Sequence, residues 1–211
     1  MNEAPCLDTM RLSQPQYGYR FSADAVALAD FAHAGPLETV LDLCSGCGVV
    51  PILIWQRRPF RSGLGVELDP ELAMLAARNV KQFRLDGKIH IVQGDIKSLS
   101  ADDLRCVSPA FSSELFDVIT ANPPYWPAKR GRLNPNLQKA VARHEMKLTL
   151  RDVLAAARRF LRPGGRFFLS HLESRKNEIL SGLERLNLVV QRIQQIPKLP
   201  GRMLLEARRD T

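Results

Sequence analysis

Two kinds of segment alternate along this chain: short apolar runs, and longer stretches whose apolar residues recur at helical spacing. Short apolar runs bounded by turn residues, such as LETVLDLCSG at 37–46 and LFDVIT at 115–120, are typical of buried strands. The stretch PELAMLAARNVKQFRL at 70–85 has apolar residues near helical spacing and a proline in its first turn, which predicts a helix. Strands that alternate with helices of this length predict an α/β domain with a mostly parallel sheet.

The full pattern predicts seven strands that are joined mainly by helices. The strands are expected within 37–46, 62–70, 87–95, 115–124, 165–171, 188–196 and 202–208, and the helices within 49–58, 70–85, 148–161 and 174–187. The last two strands have no helix between them, so we expect an antiparallel hairpin at one edge of the sheet. We also expect an N-terminal extension at 1–36 that contains a short helix, followed by the main domain at 37–211.

Composition narrows the class of protein. The 211 residues suit one domain, and no apolar run approaches the roughly 18 residues of a membrane span. The N-terminus has no apolar region of the secretory kind, and the cysteines are too few for a disulfide framework, so we expect a cytoplasmic protein. The net charge of +8 favours a polyanionic partner such as nucleic acid and is equally compatible with an inert basic surface.

Two of the cysteines, Cys44 and Cys47, form a CxxC pattern. A zinc site of this type has a second pair of ligands at matched spacing, and neither Cys6 nor Cys106 belongs to such a pair. The four histidines are scattered as well. We therefore interpret the two cysteines as small residues in a tight turn and predict no metal.

The ends of the first three strands carry candidate ligand-binding residues, because open parallel sheets bind ligands at the carboxyl edge. The first strand leads from Asp42 into a turn with Gly46 and Gly48, which let a ligand approach the backbone closely. The second ends at Glu67, an acid suited to the two hydroxyls of a ribose, and the third at Asp95, which suits the amine of a purine. A tight turn, a surface acid and a helix N-cap are the respective alternatives without a ligand.

The fourth strand ends in the rigid sequence NPPY. Proline fixes its own φ, has no amide hydrogen and keeps the preceding residue extended, so the carbonyls here face away from helical or ladder partners. The side-chain oxygen of Asn122 and the carbonyl of Pro123 can then accept the hydrogens of a planar amine, while Pro124 stiffens the loop. Tyr125 can stack on a base. Trp126 fits a second stacking role and a hydrophobic cap of the loop equally well.

These four strand ends together resemble the class I S-adenosylmethionine-dependent methyltransferases with an NPPY motif, over about residues 20–208. The resemblance implies a Rossmann-like fold, S-adenosylmethionine as cofactor, and methyl transfer to a planar nitrogen at the NPPY residues. It assigns cofactor binding to Asp42, Gly46, Gly48, Glu67, Leu68, Asp95, Ile96 and Asn122. One residue departs from the family motif, because Cys44 stands at the first glycine of D-x-G-x-G-x-G.

A finer resemblance is to the bacterial family that methylates N6 of an anticodon-adjacent adenine in a valine tRNA. Two segments carry this resemblance. The first is QYGYRFSADAVALADFA at 16–32, and the second is ARHE at 142–145 together with the later sequence LTLRDVLAAARRFLRPGGRFF. By this resemblance four residues of the first segment lie over the cofactor: Tyr19, Arg20, Phe21 and Ser22. The implied activity is methylation of the exocyclic amine of adenine in RNA, and tRNA is the RNA that the resemblance favours.

Positive charge is concentrated in the segment after NPPY. Residues 127–147 include six basic residues and one acid. That composition suits a phosphate backbone and is also found in solvated loops. We expect nucleic-acid contacts from Trp126, Lys129, Arg130, Arg132 and Arg143.

Other functions stay open at this point. The NPPY motif also occurs in enzymes that methylate guanine amines, DNA adenine or a glutamine amide of release factors, although the last group has a helical N-terminal domain for which 36 residues leave little room. A nicotinamide-dependent oxidoreductase shares the strand and helix plan but needs a third glycine where Pro51 stands. A binding protein with an inactive site is expected to lose Asn122 or Glu67, and both are present. The sequence is compatible with a monomer and leaves the oligomeric state open.

Overall fold

The computed structural model describes residues 12–15, 21–111, 115–124, 148–197 and 199–210. Its strands are β1 (Thr39–Leu43), β2 (Ser62–Glu67), β3 (Ile89–Gln93), β4 (Phe116–Ala121), β5 (Leu161–Leu172), β6 (Leu188–Gln195) and β7 (Arg202–Arg209). The described helices are α1 (Ala23–Phe31), α2 (Val49–Arg57), α3 (Pro70–Gln82), α4 (Ala101–Val107), α5 (Leu150–Phe160) and α6 (Lys176–Arg185). The strands form one seven-stranded sheet in the order β3-β2-β1-β4-β5-β7-β6.

The sheet is parallel from β3 across to β5 and antiparallel beyond it. Strands β1 to β5 pair in parallel, whereas β7 pairs antiparallel with both β5 and β6. The predicted α/β class, the seven strands and the antiparallel C-terminal hairpin are confirmed. The hairpin is not simply appended to the sheet, because β7 inserts between β5 and β6 and leaves β6 at the edge.

Helices cover both faces of the sheet, which explains why the strands of the parallel part read as continuous apolar runs. On one face Leu28 of α1, Ile52 of α2 and Val80 of α3 are buried in one hydrophobic cluster. On the other face Leu154 of α5 and Leu183 of α6 belong to a second cluster. None of the helices in the described ranges is long and apolar enough to cross a membrane.

The start of β5 differs from the sequence expectation. Helix α5 ends where the breaker sequence predicts, but β5 begins at the next residue, Leu161, so the RPGG turn lies inside the strand. Phe116 of β4 pairs with Leu161, and Val118 pairs with Arg166, so β5 advances five residues while β4 advances two. The extra residues form a bulge in which Gly164 has a φ of 73°, a conformation that costs glycine little.

Helix α4 has no counterpart among the predicted elements. It is seven residues long, and its sequence ADDLRCV has no repeating apolar face, so periodicity gives no signal. A capping box fixes its start: the Ser100 hydroxyl accepts from the Asp103 amide at 3.2 Å, and the Asp103 carboxylate accepts from the Ser100 amide at 2.8 Å. This S-x-x-D pattern is the sequence signal that indicates the helix.

Candidate active site at the strand ends

The carboxyl ends of four neighbouring strands meet at one edge of the sheet. Leu43, the last residue of β1, lies opposite Val66 of β2 and opposite Ala121, the last residue of β4. Glu67 at the end of β2 lies opposite Gln93 at the end of β3. The chain therefore leaves all four strands side by side, and the structure brings together the four strand ends that the sequence singled out.

The glycine loop, residues 44–48, follows β1 and turns the chain into α2. Three of its residues have a left-handed backbone: Cys44 with φ 61°, Gly46 with φ 56° and Gly48 with φ 80°. The Ser45 amide donates to the Val66 carbonyl at 2.9 Å and so ties the loop to β2. A left-handed backbone costs a residue other than glycine roughly 1–2 kcal/mol. Cys44 is thus held in a conformation that suits the glycine of the motif better than a cysteine.

Glu67 links the end of β2 to the glycine loop. Its side chain is buried, with 6% of the residue exposed. Its Oε2 accepts from the Gly46 amide at 2.7 Å, and its Oε1 accepts from the Asp69 amide at 2.9 Å. The acid that the sequence assigns to a ribose is therefore fixed in orientation by backbone donors.

Asp42 is a second buried carboxyl beside the glycine loop. Its Oδ1 accepts from the Thr120 hydroxyl at 2.6 Å. Its Oδ2 and the Ser45 Oγ are buried without a hydrogen-bond partner of normal geometry among the described residues. Burial raises the pKa of Asp42 to about 7, while the hydrogen bond from Thr120 opposes the shift and repulsion from Glu67 adds to it. Because a buried polar atom without a partner is costly, such an atom indicates a place for a donor on a ligand.

The Cys44 thiol is close enough to three predicted acids to be affected by all of them. Burial is the main reason why the pKa of Cys44 lies well above its usual range, and Glu67, Asp42 and Asp95 each raise it further. Burial also raises the pKa of Cys47 to about 11. Both thiols therefore stay protonated at neutral pH, and the CxxC is not a reactive thiolate pair. Within the described ranges no three metal-ligating side chains gather at one point.

The loop after β3, residues 95–99, is held from two sides. The Asp95 Oδ1 accepts from the Lys97 amide at 2.9 Å, which closes a local turn, and Oδ2 lies 3.5 Å from the Lys97 ammonium. On the other side Arg159 of α5 donates to the carbonyls of Ile96 at 2.9 Å and Leu99 at 2.8 Å. The Asp95 carboxylate thus caps its own turn, and Ile96 is buried beside it.

The loop after β4 begins with two buried residues. Asn122 is 8% exposed, Pro123 is buried as well, and Pro124 is half-buried. Thr120, two residues before Asn122, is the residue whose hydroxyl binds Asp42. The start of the NPPY loop is therefore tied to the strand that leads into the glycine loop.

Several predicted residues lie outside the described part of the chain: Tyr19, Arg20, Tyr125, Trp126, Lys129, Arg130, Arg132 and Arg143. Of the other two residues that the resemblance places over the cofactor, Phe21 is half-buried against the cluster that contains Cys47 and Val49. Ser22 is the exposed N-cap of α1. Leu68 is half-buried next to Glu67.

Three residues that the sequence analysis did not single out hold the loops of the site: Asn79, Thr120 and Arg159. The first two left a signal in the sequence. Asn79 is a polar residue on the apolar side of α3, and Thr120 is a hydroxyl in an otherwise apolar strand end. Arg159 left none, because the sequence does not tell which loop lies next to its helix.

A cavity of about 840 Å³, here called the α1-side cavity, lies between α1 and strands β5 to β7. Three arginines line it. Arg166 forms an ion pair with Glu38, Arg192 lies 3.2 Å from the Glu206 carboxylate, and Arg58 donates to a backbone carbonyl after α1 at 3.4 Å. No strand-end residue described above lines this cavity.

The strand order, the glycine loop and the buried acids beside it define the chain as a class I methyltransferase. A family model described as RNA cap guanine-N2 methyltransferase matches residues 37–149, which is more than half of the chain. The chain therefore belongs to this methyltransferase family, and the predicted enzyme class is confirmed.

Curated relatives are similar over most of the chain. A protein of Porphyromonas gingivalis named tRNA1(Val) (adenine(37)-N6)-methyltransferase is 28% identical over 90% of this chain and 72% of its own length. A protein of Histophilus somni with the same name is 32% identical over 75% of this chain and 63% of its own length. The chain thus spans about two thirds to three quarters of these relatives.

Solved structures agree on the fold. A predicted O-methyltransferase from Agrobacterium tumefaciens superposes with a TM-score of 0.64 at 18% identity, covering 89% of this chain and 81% of that one. Geranyl diphosphate C-methyltransferase from Streptomyces coelicolor, solved with S-adenosyl-L-homocysteine, gives 0.61 at 16% identity, with 89% and 80% covered. The class I methyltransferase fold that the sequence predicted is confirmed.

Proposed function

We propose that this protein transfers a methyl group from S-adenosylmethionine to the exocyclic amine of adenine in RNA, and that the RNA is a tRNA. The observation that carries the proposal is the position of Asn122 and Pro123 at the end of β4, beside the buried acids of the neighbouring strand ends. The names of the relatives from Porphyromonas gingivalis and Histophilus somni support the choice of adenine and of tRNA.

The residues at the strand ends fit S-adenosylmethionine. The Asp42 Oδ2 and the Ser45 Oγ are buried polar atoms without a partner of normal geometry among the described residues, which suits the polar groups of a ligand. Gly48 gives the loop a close passage over α3, because a Cβ there would lie 3.3 Å from the Ala76 Cβ. Glu67 would accept hydrogen bonds from the ribose, and the 95–99 loop would contact the adenine of the cofactor.

The chain's own residues supply positioning and hydrogen bonding. When bound, S-adenosylmethionine would supply the methyl group on its sulfonium sulfur, and the sulfur would keep the C–S bonding pair as the methyl carbon bonds to the amine nitrogen. The lone pair of a base amine is delocalised into the ring. Acceptance of its two hydrogens by the Asn122 side chain and the Pro123 carbonyl favours a pyramidal nitrogen, and the proton that is lost passes to solvent.

The RNA would be held by residues outside the described part of the chain. Tyr125 would stack on the flipped adenine, as aromatic side chains do with extruded bases. Trp126 would contact a neighbouring base, and Lys129, Arg130, Arg132 and Arg143 would contact phosphates. The extension at 1–36 would carry Tyr19, Arg20, Phe21 and Ser22 over the cofactor, and the protein would act in the cytoplasm.

A guanine amine is the second candidate substrate, because the matching family model is described by guanine-N2 methylation. Guanine N2 and adenine N6 are both exocyclic amines on planar rings, and the same two acceptors suit either. The loop geometry therefore does not separate them. The chosen substrate is adenine because the curated relatives are named for it.

The test is incubation of the purified protein with labelled S-adenosylmethionine and separately with unmodified tRNA, ribosomal RNA, DNA and release factor. Digestion and mass spectrometry then identify the product. N6-methyladenosine from tRNA is the expected result. N2-methylguanosine would select the second candidate, and label on DNA or on glutamine would overturn the substrate while leaving the loop chemistry in place.

The role of the basic segment has its own test. We expect the triple variant Lys129→Ala, Arg130→Ala and Arg132→Ala to weaken tRNA binding and to lower the slope of log K against log salt by about 2–3, since each lost phosphate contact removes about 0.9. Titration at several salt concentrations measures the slope. An unchanged slope would place the RNA on a different surface.

A further inference from the structure

Asn79 of α3 is a buried polar residue that none of the proposed chemistry uses. It has no exposed surface, and its side-chain amide joins three segments of the chain. Its Nδ2 donates to the Cys47 carbonyl in the glycine loop at 2.8 Å and to the Ser13 carbonyl at 2.9 Å. Its Oδ1 accepts from the Ser13 amide at 2.8 Å. One amide group thus binds the glycine loop and the N-terminal segment at the same time.

The glycine loop rests on α3 at a second point. Ala76 lies one turn before Asn79 on the same side of the helix. A Cβ on Gly48 would lie 3.3 Å from the Ala76 Cβ, so the loop backbone packs directly on the helix. The contact with Ala76 and the hydrogen bond to Cys47 together hold the last two residues of the loop against α3.

The N-terminal segment is anchored at the same place. Leu12 is 6% exposed and belongs to the hydrophobic cluster that contains Cys47 and Val49. Ser13 makes two backbone hydrogen bonds to the Asn79 amide, a pairing of the kind that a neighbouring strand makes. The residues that follow, 16–32, form the segment for which the resemblance implies contact with the cofactor.

We propose that Asn79 is a positioning residue that couples the anchoring of the N-terminal segment to the binding of S-adenosylmethionine. This inference rests on the proposed function. Cofactor bound over the glycine loop stabilises the loop conformation in which the Cys47 carbonyl faces Asn79, and anchoring of Ser13 on Asn79 stabilises that same conformation. Linkage requires the effect to be reciprocal, so the cofactor tightens the anchor by the factor by which the anchor tightens the cofactor.

The asparagine side chain matches this role by its chemistry. Its amide offers two N–H donors and one carbonyl acceptor, and all three contacts use them in that sense. Aspartate has no donor for the two carbonyls, and leucine of similar size would leave all three backbone groups without a partner. Alanine in place of asparagine at 79 would remove the link and leave α3 intact.

The test is a double-mutant cycle on affinity for S-adenosyl-L-homocysteine, measured by calorimetry on the full chain. We expect Asn79→Ala to raise the dissociation constant about 10-fold and Leu12→Ala about 3-fold. The double variant is expected to remain near 10-fold, since the anchor no longer acts once the link is lost. The KM for S-adenosylmethionine should rise in both single variants while kcat at saturation changes less than 2-fold.

Ile196→Ala is the matched control, because Ile196 is also 6% exposed and belongs to the same hydrophobic cluster. It is expected to lower stability as Leu12→Ala does and to leave the dissociation constant unchanged. Equal effects of Leu12→Ala and Ile196→Ala on affinity would overturn the coupling, and so would a double variant equal to the product of the single ones.

Hydrogen exchange separates this inference from the proposed function. In the wild-type protein the Ser13 amide should exchange several-fold more slowly with S-adenosyl-L-homocysteine than without it, and Asn79→Ala should abolish the difference. If the wild-type protein does not bind the ligand, the proposed function fails. The link would then still predict faster exchange of the Gly48 amide in Leu12→Ala than in Ile196→Ala, and equal rates would overturn it.

Discussion

The α1-side cavity and the strand-end site differ in how their polar groups are satisfied. In the cavity, the guanidinium of Arg192 lies 3.2 Å from the Glu206 carboxylate and 3.9 Å from the centre of the Phe31 ring, and Arg166 is paired with Glu38. At the strand ends, Asp42 keeps a buried oxygen without a partner of normal geometry among the described residues. The charged groups of the cavity are thus paired with one another, whereas the strand ends contain a buried carboxylate oxygen that is not.

This difference indicates that the two regions would respond differently to a ligand. A cavity whose charges already pair with each other gains little from a ligand, since the ligand has to compete with bonds that exist. A buried carboxyl with a raised pKa gains much from a suitable donor.

Asn122→Ala should have the largest effect. Loss of one of the two acceptors proposed for the amine is expected to lower kcat about 100- to 1000-fold, as loss of a preorganised hydrogen-bonding group does in other enzymes. The dissociation constant for S-adenosyl-L-homocysteine should change less than about 3-fold. Single-turnover methylation and calorimetry measure the two quantities, with the exposed helix residue Asn177→Ala as control. If Asn122→Ala lost affinity for the cofactor and kept its turnover, Asn122 would not have the assigned role.

Asp42→Asn should change how stability depends on pH. Burial raises the folded-state pKa of Asp42 to about 7, above the value in the unfolded chain, so ionisation is costly only in the folded state. The free energy of unfolding therefore falls as pH rises from about 4 to about 7, and the loss is complete above that range. Between pH 5 and pH 8 the loss in the free energy of unfolding amounts to about 2–3 kcal/mol.

The Asp42→Asn variant lacks this loss, so its stability relative to the wild-type protein should rise by that amount between pH 5 and pH 8. Urea unfolding of both proteins at several pH values measures the difference in their stability. Taking this difference also cancels the contributions of the histidines, which both proteins share. The control is Asp86→Asn, whose side chain is exposed. Parallel stability curves for Asp42→Asn and the wild-type protein would contradict the explanation.

Glu67→Gln should weaken cofactor binding without changing the chemistry. The substitution removes the charge from the hydrogen bond to the Gly46 amide and from the hydrogen bonds that are proposed to the ribose, and we expect the dissociation constant for S-adenosyl-L-homocysteine to rise about 10- to 30-fold. The value of kcat at saturating cofactor should stay within about 3-fold. Glu71→Gln on the exposed side of α3 is the control. A fall in kcat with unchanged affinity would move Glu67 from the cofactor to the chemical step.

Arg192→Met should have the smallest effect and tests the other side of the comparison. It removes the ion pair with Glu206 and the contact with Phe31, and the Arg192 side chain is 47% exposed. A loss of about 1 kcal/mol in the free energy of unfolding is expected, with affinity and kcat unchanged. A change in turnover at equal stability would give the α1-side cavity a part in the reaction.

The fold could be predicted from the sequence because the signals for its strands and helices are local. The apolar runs of β1, β2 and β4 and the helical spacing of α3 each lie within one segment, and the βαβ plan follows from their order. The start of β5 was predicted wrongly because RPGG stops a helix and also forms a bulge, and only pairing with β4 decides between the two. Helix α4 was not predicted because its sequence signal is a capping box and not a repeating apolar spacing.

The positions of the candidate site residues were predictable where a residue stands at a strand end and not where residues act through each other. Glu67 and Asn122 stand at strand ends, and the sequence indicates their position directly. Asn79 and Arg159 act on backbone carbonyls that are 32 and 60 or more residues away, which no spacing encodes. The bond between Thr120 and Asp42 depends on the register of β1 against β4, and that register is a property of the folded sheet.

The position of β7 has a consequence for synthesis on the ribosome. Strand β7 is synthesised after β5 and β6, yet it lies between them and supplies the pairing partner of both. Until residue 209 has left the exit tunnel, β5 presents an open edge and β6 has no strand to join. The parallel half of the sheet can form before β7 emerges, but the antiparallel half can form only after it. An emerging chain therefore exposes the β5 edge to other nascent chains, and a chaperone that covers this edge would protect it from aggregation.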